Sequence, residues 1–152
     1  MRILVRFYDA GALLCFLGMM GCVLLEVAAR NVFQYPTTWA EEASRFFCVW
    51  TVFLGSASAW FRGSHILINI VPRHLSGKPY YSLKLLIDVL CALFLLAVWF
   101  GTLSIMIVSY PSKTTALEIS ISYFYLGLFL GCTGMLIFHF QQLSGTLRNL
   151  FE

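Results

Sequence analysis

Four long apolar runs, parted by short polar breaks, dominate the chain. The first extends from about Phe7 to Ala29, interrupted by Asp9 near its start and Glu26 near its end. The second covers about Trp39 to Phe61, with Glu41, Glu42 and Arg45 confined to its first two turns. The third, Leu85 to Ser109, has Asp88 as its one charge, and the fourth, Ile119 to Leu143, has none. A bilayer core about 30 Å thick is crossed by roughly 20 helical residues. Backbone in lipid must satisfy its own hydrogen bonds, so only helices or a closed barrel cross it. These runs are continuous rather than alternating, and too long for barrel strands. The pattern therefore predicts an all-α integral membrane protein, one domain over residues 1–152, with four transmembrane helices at about 7–29, 39–61, 85–109 and 119–143.

The polar breaks carry helix signals of their own. Thr38-Trp39-Ala40-Glu41 and Thr115-Ala116-Leu117-Glu118 both read as capping boxes, with Pro36 and Pro111 just upstream. The break after the second run is longer. In it His65, Asn69 and Arg73 recur every four residues, with Ile66, Leu67, Ile70 and Val71 facing away. That stripe predicts a short amphipathic helix at about 64–75 lying in the membrane interface, ended or kinked by Pro72. A continuation of the second span is the alternative.

Composition narrows the class. Of 152 residues, 60% are hydrophobic and 11% charged, where a soluble domain carries about 25% charged residues. A water-soluble monomer is excluded, and the spans leave no room for a large catalytic domain. The net charge of +3 comes from scattered Lys and Arg without a basic face, so nucleic acid is not an expected partner. Their distribution sets orientation instead. Arg2, Arg6, Arg62, Arg73, Lys78, Lys84 and Arg148 fall on one side of a four-span chain, Arg30, Arg45 and Lys113 on the other. The positive-inside rule then places both termini in the cytoplasm. Arg2 and Arg6 before an apolar run also resemble a secretory signal, but the run is long and Glu26 would lie beside the cut, so it reads as a retained helix.

Few residues offer chemistry. The cysteines Cys15, Cys22, Cys48, Cys91 and Cys132 all lie in apolar runs with no CxxC pair, so no metal site or disulfide framework is expected. Glu26 and Arg30 are four apart and able to pair, as are Lys84 and Asp88. Glu41, Glu42 and Arg45 form the densest charged cluster, in which one Arg serves two acids. Adjacent helical carboxylates point about 100° apart, which suits docking or transport rather than acid–base catalysis. No catalytic motif is present, and no cofactor is expected. Small residues at Gly127, Gly131 and Gly134, and at Gly55, Ala57 and Ala59, give two helices faces for close packing.

Taken in order, Arg30-Asn31-Val32-Phe33, Trp39-Ala40-Glu41-Glu42, Arg45, Trp50, Phe53-Leu54-Gly55-Ser56-Ala57, Arg62-Gly63-Ser64-His65-Ile66 and Thr115-Ala116-Leu117-Glu118-Ile119 form a series. It resembles the small membrane subunit, DctQ type, of tripartite ATP-independent periplasmic (TRAP) transporters, over about Arg30 to Gly131. Asn69 stands where the family often has an acid, and Ser120 and Phe129 where prolines are common. The resemblance implies a bacterial inner-membrane scaffold without a transport path of its own. Its partners would be a large elevator-type membrane subunit, a periplasmic solute-binding protein and membrane lipids. The cargo implied is a carboxylate-bearing solute, such as a C4-dicarboxylate or sialic acid, taken up with sodium. By that analogy Arg30, Trp39, Glu41, Glu42 and Arg45 are candidates for partner contact, with Gly55, Ala57 and Ala59 supporting helix packing. Two other readings remain at this stage. One is a small proton-coupled exporter using Glu26; the other is a haem- or quinone-binding anchor using His65 and His139.

Overall fold

Backbone that meets lipid has to bond within its own segment, and among the described residues the chain forms four long helices. The computed structural model describes residues 2–32, 34, 37–62 and 78–151. Within them lie α1 (Arg2–Val32), α2 (Thr38–Phe61), α3 (Lys78–Ser109) and α4 (Ser122–Phe151). Among the described residues there is no strand, only one isolated pairing of Lys113 with Ser120. Segments Ile3–Val32, Leu83–Ser109 and Ser122–Leu143 are long and apolar enough to cross a membrane. Helix α2, at 24 residues, has the length, but three charges occupy its first two turns. The expected interfacial helix at 64–75, with His65, Asn69 and Arg73, lies outside the described residues.

In space the helices stand in the order α1, α2, α4, α3. Asp9 near the start of α1 meets Ser58 and Arg62 at the end of α2, so these two run antiparallel. Trp50 lies over Gly127, Phe53 over Gly131 and Ala57 over Gly134, so α2 and α4 run parallel. His139 reaches Asp88, and Trp99 reaches Thr133, so α3 opposes α4. The first turns of α1 and the later turns of α4 consequently share one end of the molecule. Tyr8 ties the row together: its hydroxyl donates to the Leu130 carbonyl of α4 at 3.0 Å.

Lipid is as apolar as leucine, so close contact and interhelical hydrogen bonds hold membrane helices together. The α2–α4 seam is built that way. A β-carbon at Gly131 would sit 2.6 Å from the Phe53 carbonyl oxygen, and one at Gly134 would sit 2.7 Å from the Tyr8 ring. The expected small-residue face of α4 is therefore the seat of α2. Around it Tyr8, Leu54, Ala57, Leu95 and Met135 form the buried cluster. On the α4–α3 seam Trp99 Nε1 donates to Thr133 Oγ1 at 3.0 Å, and Ser122 Oγ donates to the Met106 carbonyl. Such bonds contribute about 0.6–2 kcal/mol each in membranes. The outward faces, among them Leu13, Leu14 and Leu24 of α1 and Leu93, Phe94 and Ile107 of α3, are exposed and apolar.

The α3–α4 connection departs from expectation. A capping box at Thr115 would start a helix there, yet α4 begins at Ser122. Residues 112–121 form a tight turn in which Thr114 N–H donates to the Ile119 carbonyl and Ile121 N–H to the Ser112 carbonyl, both at 2.9 Å. Glu118 adopts φ +54°, a left-handed conformation that no helix contains. Ser120 takes over near the helix start, its Oγ accepting from Ser122 N–H at 3.3 Å. Thr115 does not cap because the amides that follow it, those of Ala116 and Leu117, donate to the Glu42 carboxylate instead.

Candidate functional site

The polar groups expected to matter converge where α1 ends, α2 begins and the 112–121 turn crosses. Helix α2 opens at Thr38 after an N-cap at Thr37, whose side chain makes no capping bond. The expected capping box at Thr38 and Glu41 is thus displaced: the cap lies one residue earlier, and Glu41 turns to Arg45 in an exposed i,i+4 ion pair. An exposed pair of this kind contributes at most about 1 kcal/mol. Its significance is one of placement, since it sets exposed charge of both signs on the first turns of α2, Glu41 in the recess with Arg30 and Arg45 beside the 112–121 turn.

Glu42, one residue on, points to the turn. One carboxylate oxygen accepts from Thr115 Oγ1 at 2.6 Å and from the N–H groups of Thr115 and Ala116 at 3.1 and 3.0 Å. The other accepts from Ala116 and Leu117 N–H at 3.0 and 2.9 Å. Three successive amides turned toward one anion form a nest. Every one of these groups is a donor, so the ionised carboxylate, which only accepts, is the form that fits. The cluster of two acids around one Arg therefore separates, with Arg45 serving Glu41 while the turn serves Glu42.

The aromatic residues set this arrangement on the helices. Trp50 Nε1 donates to the Tyr123 carbonyl at 3.1 Å, and Phe46 packs edge-on against Phe124 with centroids 5.2 Å apart. The start of α4 is fixed to α2 just below the turn.

The remaining expected site residues divide. Arg30 shares an open polar recess with Glu26, Gln34 and Glu41, and Glu26 and Arg30 do not close into an ion pair with each other. Trp39, in the first turn of α2, is half-exposed. Gly55, Ala57 and Ala59 do not share a face: Ala57 is fully buried against Gly134, whereas a β-carbon at Gly55 would meet nothing and Ala59 is half-buried. Their spacing predicts this once α4 is known to take Ala57, because positions two apart on a helix point about 200° apart.

At the opposite end lies a group that the sequence reading left apart. Asp9 accepts from Ser58 Oγ and from Arg62. An acid inside an apolar run was the available signal; the partners, about fifty residues on, had none. His139, the candidate haem ligand, is 2% exposed, with Nε2 on the Asp88 carbonyl at 2.8 Å and its ring edge-on to Trp60. A carbonyl only accepts, so Nε2 carries the proton. His65 lies outside the described residues. Among the described residues no group of His, Cys, Asp or Glu is placed to hold a metal.

Comparison with protein families matches residues 19–149 to the family model described as tripartite ATP-independent periplasmic transporters, DctQ component. Comparison with curated proteins gave no match.

Proposed function

The chain belongs to the DctQ component family of tripartite ATP-independent periplasmic transporters, and on that premise we propose that it is the small scaffold subunit of such a transporter and carries no solute itself. It is a component of a membrane transport system, of a family that works with a large membrane subunit and a solute-binding protein. The scaffold role, the four spans and the direction of insertion are our reading.

One observation carries the scaffold role. The buried polar side chains Ser58, Thr102, Ser122 and His139 each bond a neighbouring group, respectively Asp9 and the carbonyls of Val98, Met106 and Asp88. Ser58, Ser122 and His139 spend these bonds on joining helices, while Thr102 bonds within α3; buried polar groups used in this way are costly to unpair and line no continuous path for a solute. Movement belongs to another subunit, and this chain supplies a fixed wall with broad apolar faces. In this reading all four helices cross the bilayer, with both termini cytoplasmic by the Lys and Arg bias. The end holding Glu26, Arg30, Trp39, Glu41 and Arg45 then faces the periplasm, where it helps dock the solute-binding protein. The stripe of α2 containing Gly55, where a side chain would meet nothing, and Ala59 receives the large subunit. Sodium-coupled uptake of a carboxylate-bearing solute follows from the same family reading.

The test is purification of the tagged chain from its native membrane in mild detergent, with mass spectrometry of what accompanies it. A stoichiometric, large and very hydrophobic partner is expected. A chain that purifies alone or as a homodimer overturns the scaffold reading.

A further inference from the structure

Beneath the 112–121 turn, an open groove of about 590 Å³ runs between α2 and α4. Its apolar walls are Val49 and Phe53 from α2 and Phe124 and Leu128 from α4, and Arg45 and Lys113 stand on its lining at the turn end. Because α2 and α4 run parallel, the groove follows the helix direction. Lys113 forms no ion pair with a described residue, and Arg45 holds only the exposed Glu41. Glu42 also lines the groove, but its carboxylate is taken up by the amides of residues 115–117. Cations at the end of a membrane helix lay their stems on apolar surface and hold their charge at headgroup level. Basic pockets between membrane helices on the cytoplasmic side bind lipid headgroups, and the attraction of two cations for a phosphate is the same at either face.

We propose that this groove binds one glycerophospholipid, with its phosphate between Arg45 and Lys113 and an acyl chain along Val49, Phe53, Phe124 and Leu128. A partner helix fits less well, because close helix approach needs small residues and this floor is phenylalanine and leucine. The site is independent of the scaffold reading and stands or falls separately from it.

The test is native mass spectrometry of the full chain, purified in mild detergent with any subunit that accompanies it. The probes are phosphatidylglycerol and the diacylglycerol of the same acyl chains. The phospholipid is expected to bind at least about tenfold more tightly. Lys113→Gln and Arg45→Gln should each remove most of that preference, and the pair together all of it. Leu128→Trp, which fills the trough, should lower the occupancy of both lipids. Equal binding of the two lipids to the unaltered chain overturns the proposal, and so does a preference that survives the double substitution. Lys113 lies in an exposed turn, so its variant keeps the test decisive even if Leu128→Trp does not fold.

Discussion

Glu42 and Thr115 lie 73 residues apart in the chain, and the Glu42 carboxylate accepts both the hydroxyl and the backbone N–H of Thr115, at 2.6 and 3.1 Å. Two short acidic motifs that read as separate helix starts are in fact one tertiary contact. It fixes the turn that sets where α4 begins. Glu42→Gln replaces one acceptor oxygen by an amide whose hydrogens face the N–H groups of the turn. Amide hydrogens of residues 115–117 should then exchange several-fold faster, with the helices unchanged, as local opening predicts. Unaltered exchange in that variant would show that the turn holds itself.

The Gly131 and Phe53 backbones approach so closely that a methyl group has no room. Gly131→Ala should force α2 and α4 apart at a cost of about 1–3 kcal/mol, the usual range for overpacking. Reversible unfolding in mixed detergent micelles measures it. A more stable variant, as helix propensity alone predicts for Gly→Ala, would mean that the seam is looser than its geometry.

How far the sequence was legible follows from the range of each interaction. The helices and the small-residue face at Gly127, Gly131 and Gly134 were legible, because period and residue size are local properties. The Thr115 capping box misled because the amides that follow Thr115 are satisfied equally by its own hydroxyl oxygen or by a distant carboxylate. Only the fold decides which acceptor is nearer. The same limit explains Ala57 and Gly55, two residues apart and on opposite faces: one packs against Gly134 and the other is open. It explains Asp9 too, whose intrusion into an apolar run was visible while Ser58 and Arg62 as its partners were not.

Tyr8 joins α1 to α4 across the face of α2 through one hydroxyl. Tyr8→Phe keeps the ring and its edge-on contact with Phe138 while leaving the Leu130 carbonyl with its helical bond alone. A loss of about 1 kcal/mol is expected, read by the same unfolding measurement. No loss would mean that ring packing alone holds α1 in place.

The Asp9–Arg62 pair is more than a third exposed on both sides, so Arg62→Gln should cost less than about 1 kcal/mol. Ser58 is 3% exposed, and Ser58→Ala withdraws the buried donor from the same carboxylate. It should therefore destabilise at least as much as Arg62→Gln. The reverse order, at equal expression, would place the weight of this end on the ion pair.

Gly55 separates the chain's own packing from the surface it offers to a partner. A side chain there meets nothing within the protein, so Gly55→Leu should not destabilise the isolated chain and should raise its unfolding free energy by up to about 1 kcal/mol, the helix-propensity gain over glycine. In a membrane the same change adds bulk to the stripe of α2 that carries Cys48 and Val52, both exposed. If that stripe seats the large subunit, helix approach there depends on small residues, and co-purification of the partner should fall sharply. Ala57→Leu is the contrasting case, since Ala57 is fully buried against Gly134, and it should impair folding before assembly. Full recovery of the partner with Gly55→Leu would move the interface off this stripe, to the exposed apolar faces of α1 or α3.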